Sequence, residues 1–327
     1  MRLRAILTAV VVLLCVSARA DDATPPQPQS VTRGVTLIPG GIRPNRQPDG
    51  NTVIFDAPSG LIVMDTGRHK WQRQAILDFA KARGKPIAAI INSHWHLDHV
   101  SGNPDIRAAY PGLKVYASNA IDNALTGFLA RSAAGAREQL ASGDLPPETA
   151  DDVRGDVATF ENGFALKPDV AIDKSATRTI AGKRLQVNLA PNAATDGDVW
   201  VYDPATRIAA VGDLVTFPAP FLDTACPAGW SAALKRVAAT PFKTLIPGHG
   251  APMTRVQFAI YRTAFDAMIA CSASTRSETE CASDWTAAVQ PLLGIDPAGP
   301  RRAAAYAAYY VKDVLRAHGG KSAECHA

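Results

Sequence analysis

The stretch His94-Trp95-His96-Leu97-Asp98-His99 decides how the rest of the chain is read. Three of the 7 histidines in the chain, and an aspartate with them, fall between positions 94 and 99. Unpartnered imidazoles are costly to bury, so packing alone does not account for such a cluster. The run follows directly on Ile87–Ile91, an apolar segment bounded by Pro86 and a polar loop, which reads as a buried strand. Where a strand opens into a loop, side chains can converge on a ligand, and alternate residues of an extended segment can point the same way. Imidazole nitrogens together with carboxylate oxygens form a donor set that suits zinc.

Two distant segments extend the cluster. Val211-Gly212-Asp213-Leu214 puts a carboxylate just past the apolar run Ile208–Val211, and Ile246-Pro247-Gly248-His249-Gly250 puts a histidine just past Thr244–Ile246. Each alone carries little, because Gly-Asp is a common turn and a histidine after a strand is often on the surface. Joined to the first run, they give six candidate metal ligands: His94, His96, Asp98, His99, Asp213 and His249.

With these residues in hand, the sequence resembles the metallo-β-lactamase-fold hydrolase superfamily. The resemblance rests on Met64-Asp65-Thr66-Gly67, the H-x-H-x-D-H run, Gly212-Asp213 and Pro247-Gly248-His249-Gly250, in the family's order, over roughly residues 35–265. It implies an α+β fold, a four-layer αββα sandwich with a metal centre at one edge between the sheets. By position it implies His94 and His96 in a first metal site, Asp98, His99 and His249 in a second, Asp213 between the two, and Asp65 supporting them. It further implies a zinc-dependent hydrolase in which Asp98 is catalytic and a metal-held hydroxide attacks an ester, thioester, lactone, lactam or similar bond. Asp213 stands where one lactamase subclass has cysteine and another has no bridging acid, which favours the broader hydrolases over a β-lactamase proper.

The chain departs from the family at one ligand. A third first-site histidine usually comes from a segment reading His-Thr-x-Gly-Asp; here that segment is Ala194-Thr195-Asp196-Gly197-Asp198. Alanine cannot ligate. One tightly bound Zn²⁺ in the second site, with the first weak or absent, is therefore expected, and a non-catalytic metal-binding member is the alternative.

The ends of the chain bear on compartment. Arg2 and Arg4, the apolar run Ala5–Val16 and Ala18-Arg19-Ala20 make residues 1–20 read as a cleaved signal peptide. That apolar run spans about 18 Å as a helix, short of the ~30 Å hydrocarbon core, so no stable membrane anchor is expected. The chain has 34 Lys+Arg against 30 Asp+Glu, and without the leader's three arginines the net charge is about +1. That balance excludes a nucleic-acid binder driven by phosphate neutralisation and leaves a small molecule as the expected partner. Residues 21–33 read as a Pro-rich tether, 34–272 as the metallo-β-lactamase-like hydrolase domain, and 273–327 as a C-terminal helical extension. A secreted or periplasmic protein would oxidise Cys226, Cys271, Cys281 and Cys325, with Cys271–Cys281 and Cys226–Cys325 the expected pairs.

Between the motifs, strands are predicted over 35–38, 52–55, 61–64, 113–117, 179–189 and 199–202. Helices are predicted over 70–83, 230–239, 252–317, and 119–156 with a break at Pro146-Pro147. Arg68-His69-Lys70 reads as a solvated helix start, with a place at the mouth of the site, attracting an anionic substrate, as the alternative.

Overall fold

Residues 60–64 and 197–203 are buried throughout, because these extended segments send successive apolar side chains to opposite faces and both faces are covered. The protein is described here by a computed structural model covering residues 24–294 and 296–325; the signal peptide expected over 1–20 lies outside them. The first sheet contains β1 (Gln29–Thr32), β2 (Val35–Ile38), β3 (Thr52–Ala57), β4 (Gly60–Met64), β5 (Ile87–Ile91), β6 (Lys114–Ala117) and β7 (Val170–Ala171), in that spatial order. Pairing is antiparallel as far as β4 and parallel from β4 to β7. The second contains β8 (Ala176–Ile180), β9 (Lys183–Pro191), β10 (Gly197–Asp203), β11 (Ile208–Ala210), β12 (Thr244–Ile246) and β13 (Met253–Thr254), ordered β13-β12-β11-β10-β9-β8.

Alternate residues face the space between the sheets. Val53, Phe55, Ile62, Met64, Ala89 and Ile91 of the first sheet pack against Leu185, Val187, Val199, Val201, Ile208 and Ala210 of the second. The helices run α1 (Lys70–Arg83), α2 (Leu97–Val100), α3 (Asn103–Ala109), α4 (Ala120–Thr126), α5 (Phe128–Ser142), α6 (Pro147–Glu161), α7 (Pro227–Ala239), α8 (Arg255–Ser272), α9 (Glu278–Val289) and α10 (Gly299–Tyr309). Ile54, Leu61, Val63 and Ile90 turn outward onto Ala75, Ile76 and Ala80 of α1 and Ile106 of α3. Trp200, Tyr202, Ala209 and Leu245 turn outward onto Trp230 and Leu234 of α7 and Phe258 and Phe265 of α8. The result is the four-layer αββα sandwich.

The C-terminal helices share that second outer core. Trp285, Val289, Ala303, Ala307 and Leu315 belong to the same buried cluster as α7 and α8. The Cys271–Cys281 bridge joins the end of α8 to α9, and Cys226–Cys325 joins the start of α7 to the C-terminal tail, the pairing expected from the sequence. Among the described residues no helix is long and apolar enough to cross a membrane.

The structure corrects three local readings. Residues 179–189 are not one strand but the β8–β9 hairpin, turned at Ala181-Gly182 with φ of 46° and 82°. Positive φ at both turn residues matches the right-handed twist of the flanking strands, but Ala-Gly lacks the usual Asn-Gly signal. The end of the Pro-rich segment is not a free tether, since Gln29–Thr32 pairs with β2. The helical stretch after Pro252 is interrupted at 273–277, where Ser277 and Glu280 form a capping box that restarts the chain as α9.

Candidate metal centre

The centre is assembled by loops leaving β4, β5, β11 and β12 at one edge of the sandwich. Asp65, the residue after β4, takes a left-handed φ of 62° that most side chains avoid. That geometry turns its carboxylate into the β5 loop, where it accepts hydrogen bonds from Ser93 N at 2.7 Å, Ser93 Oγ at 2.7 Å and His99 Nδ1 at 2.9 Å. Ser93 Oγ, having donated to Asp65, accepts from His94 Nδ1 at 2.8 Å. One carboxylate thus fixes two imidazoles with their Nε2 atoms directed inward, one directly and one through a hydroxyl.

Asn51 clamps the loop after β12. Its Nδ2 donates to Pro247 O at 2.9 Å and Gly250 O at 2.8 Å, which holds His249 over the site. Gly248 is required there, because a Cβ would collide with the Asp213 carboxylate.

His99 Nε2 lies 3.2 Å from His249 Nε2 and 3.2 Å from Asp213 Oδ1. His249 Nε2 lies 3.0 Å from Asp98 Oδ2 and 3.5 Å from Asp213 Oδ1, and His94 Nε2 is 3.9 Å from Asp213 Oδ2. Two trios bring their donor atoms within 4.8 Å of one another: His94, His99 and Asp213, and Asp98, His99 and His249. Five of the six residues singled out from the sequence are therefore gathered at one point.

His96, the sixth, belongs to neither trio. It stands beside them, its ring 4.4 Å from that of His94, with Nε2 3.0 Å from Thr224 Oγ1. Thr224 Oγ1 donates to Ala194 O at 2.8 Å, so the hydroxyl oxygen accepts from His96 Nε2 and leaves Nδ1 as the available donor atom. Ala194 is fully buried, and it is the backbone carbonyl, not a side chain, that the 194 position contributes here.

Electrostatics separates the imidazoles. Burial holds His96 down at about 4, against the pull of Asp98 and Asp213, and burial together with the neighbouring His99 and His96 pushes His94 well below its ordinary value. Burial also opposes charge on His99, but Asp213, Asp98 and Asp65 outweigh it and raise its pKa well above 6.5. Burial likewise opposes ionisation of Asp98, yet His99, His249 and Arg68 hold its pKa well below the ordinary carboxylate value. His94 Nε2 is buried without a hydrogen-bond partner. A buried orphan nitrogen, and imidazole nitrogens facing each other between carboxylates, fit a divalent cation whose binding displaces protons from the histidines.

Of the two readings of Arg68-His69-Lys70, the solvated helix start fails, whereas Arg68 does line a cavity beside Asp98. His69 is buried, Arg68 is mostly so, and Lys70 alone of the three is exposed. Arg68 pairs with Asp156 of α6 and places Nη2 3.9 Å from Asp98 Oδ1. His69 Nδ1 is 2.7 Å from Asp49 Oδ2 and its Nε2 3.1 Å from Asp152 Oδ1. The acids that draw these cations inward, Asp49, Asp152 and Asp156, are remote in sequence and carry no motif.

The His69 cluster gives a pH dependence. Burial opposes its charge, but the hydrogen bonds to Asp152 and Asp49 prevail and raise its pKa above 6.5. The stabilisation is fully present below 6.5 and is lost as pH rises through the higher folded-state pKa; Asp49 and Asp152, both lowered, keep their share until well into acid. His69→Gln should therefore cost about 2 kcal/mol at pH 5.5, the scale of a hydrogen bond to a charged group, and distinctly less at pH 9. Urea midpoints at the two pH values check this, and equal losses would mean that the charge plays no part.

Above the centre lies a cavity of about 700 Å³. Its charged lining comprises Arg68, Asp98, Asp156, Asp213 and His249, joined to one another, and Arg46, paired instead with Asp152; the remaining walls are mostly apolar, with Gln47, Ser132, Gln139 and Thr216 among them.

The sequence model of the metallo-beta-lactamase superfamily matches residues 46–249. The chain belongs to that superfamily, whose members represented among its relatives, alkylsulfatases and lactamases, are hydrolases. A linear primary-alkylsulfatase from a Pseudomonas species is 26% identical over 219 residues, 62% of this chain but 41% of the relative, so the match spans less than half of that protein's length. Among solved structures, the inverting sec-alkylsulfatase Pisa1 from Pseudomonas sp. superposes with a TM-score of 0.61 at 19% identity, covering 88% of this chain and 50% of that one. A metallo-beta-lactamase family protein from Thermus thermophilus gives 0.57 at 18% identity, covering 89% and 95%.

Proposed function

We propose that the protein is a metal-dependent hydrolase acting on an ester-type bond of a small molecule. The observation that carries this reading is the convergence of Asp98, His99 and His249 within 4.8 Å, with Asp98 and His249 lining the cavity. Bound there, zinc would supply an acidified water and a positive charge for developing oxyanions. The ligands in this reading are Asp98, His99, His249 and Asp213, with His94 and His96 beside them as a weak or vacant second set. Asp98 is the catalytic residue: its Oδ2 engages His249, and the residue lines the cavity, where its carboxylate can orient a water and take its proton. The C-terminal helices belong to the catalytic unit, because Tyr306 and Tyr310 line the cavity. Esters, thioesters and lactones are candidate bonds, and the similarity to alkylsulfatases adds sulfate esters. The two disulfides favour a secreted or periplasmic setting.

The test is a panel of p-nitrophenyl acetate, a chromogenic thioester, a lactone, p-nitrophenyl sulfate and a chromogenic β-lactam, offered to zinc-loaded protein. Turnover of one or more is expected; binding of zinc with no turnover would favour the non-catalytic alternative that Ala194 raises.

Metal content tests the ligand set separately. Both trios share His99, and the residue at 194 offers no donor, so dialysed protein should retain nearer one zinc per chain than two. Ala194→His should raise that number. Two tightly held zincs in the wild type would show that another donor completes the first set.

A further inference from the structure

We propose that Thr224 is a positioning residue for His96, and that the C-terminal extension acts on the metal centre through it. The proposal rests on the metal-binding reading of the same residues and concerns the one imidazole that neither trio contains. Among the described residues, the Thr224 hydroxyl is the only hydrogen-bond partner of the His96 ring, 3.0 Å from Nε2. That hydroxyl gives its own proton to Ala194 O at 2.8 Å, so toward the ring its oxygen can only accept. His96 is thereby held with its proton on Nε2 and a lone pair on Nδ1, the arrangement in which Nδ1 can serve a cation. Trp95 and Phe221, whose rings also touch it, offer no acceptor that would favour the other tautomer.

Thr224 is itself pinned from the C-terminal side. Three residues around it are bonded to the extension: Asp223 Oδ1 accepts from Tyr309 Oη at 2.9 Å, Ala225 O accepts from Ser322 N, and Cys226 is bridged to Cys325. On the opposite side the loop meets the turn that contains Ala194, where Cys226 N donates to Ala193 O at 2.9 Å. Ala193, Ala194 and Ala225 are fully buried and Thr224 nearly so, which leaves the hydroxyl little freedom to turn away from His96. The other imidazoles have separate supports. Asp65 holds His99 directly and His94 through Ser93, and Asn51 clamps the loop of His249. A disturbance at Thr224 should therefore reach His96 and leave the Asp98, His99 and His249 trio in place.

The tautomer of His96 can be read without metal or turnover. Long-range proton–nitrogen correlation spectra of ¹⁵N-histidine-labelled, chelator-treated protein report it, and His96→Gln assigns the signal. The wild type should show Nε2 protonated and Nδ1 bare. Thr224→Val, or Thr224→Ala should valine not fold, should populate the other tautomer, and Thr224→Ser should restore the wild-type signal. Tyr309→Phe and the paired Cys226→Ser, Cys325→Ser variant should move it the same way by a smaller amount. In protein already holding one zinc, Co²⁺ titrated as a spectroscopic probe of a second equivalent should bind about 10- to 100-fold more weakly in Thr224→Val, the range for losing the partner behind a ligating imidazole. Affinity for the first zinc should not change. An unmoved tautomer in Thr224→Val, or no recovery in Thr224→Ser, would overturn the positioning role. Equal weakening of both metal equivalents would overturn its restriction to His96, and a signal untouched by both remote variants would remove the extension from the account. A tautomer that shifts as expected in a protein binding neither zinc nor cobalt would sink the metal reading alone; tight metal binding with an unmoved tautomer would sink this proposal alone.

Discussion

Asp98→Ala should lower kcat/KM on whichever panel substrate the wild type cleaves by about 10²- to 10⁴-fold, the range for loss of a general base, and should also reduce zinc per chain. Both effects follow from position. Asp98 is at once a member of the Asp98–His99–His249 trio and a wall of the cavity, so its carboxylate serves two tasks. Removing the carboxylate leaves His249 without its 3.0 Å partner and takes away the charge that, with Asp213 and Asp65, raises the pKa of His99. Asp98→Asn separates the tasks, since the amide keeps the shape but cannot take a proton. Kinetics and metal analysis on the same preparations distinguish them: an Asp98→Ala protein with wild-type turnover would remove Asp98 from the mechanism.

Trp230→Ala should be the most destabilising of the substitutions considered, by about 3–5 kcal/mol. The indole is fully buried among α7, α8 and β10, with its ring centroid 5.0 Å from that of Phe265. It also reaches the site, because Nε1 donates at 2.9 Å to Leu214 O in the short turn that carries Asp213. Truncation opens a cavity and orphans a buried carbonyl together. Trp230→Phe, which keeps most of the volume and loses only the hydrogen bond, should cost nearer 1 kcal/mol. Denaturant midpoints measure both losses, and zinc retention should fall further in the alanine variant as the Asp213 turn loosens. A Trp230→Phe loss as large as that of alanine would assign the effect to the hydrogen bond and not to packing.

The parts of this molecule legible in the sequence are those whose chemistry demands scarce residue types. His94, His96 and His99 stand out because few structural roles call for so many imidazoles in one turn, and Asp213 and His249 become readable only in their company. The strands that enclose the inter-sheet layer were legible as short β-branched or apolar runs split by Gly and Pro, as at residues 52–55 of β3 and 61–64 of β4. What escaped reading was long-range and made of ordinary residues. Nothing near Asp152 or Asp156 in the sequence indicates that α6 will dock two acids onto Arg46, His69 and Arg68. Thr224 holds His96 from 128 positions away. Gln29–Thr32 became a strand despite the prolines before it, because β2 offered an edge to pair with.

The Cys226–Cys325 bridge closes 99 positions of chain, and His249 lies inside that loop, while Thr224 sits two residues before its first sulfur. In the chain-entropy account a closure of this length is worth about 4–5 kcal/mol. A host whose cytosol keeps thiols reduced by glutathione would forgo that contribution and leave the tail free of Ala225, to which Ser322 N now donates at 3.2 Å. A setting that oxidises these thiols would therefore also secure the edge that carries His249 and Thr224, and recombinant material meant for metal counting should be matured with both disulfides formed.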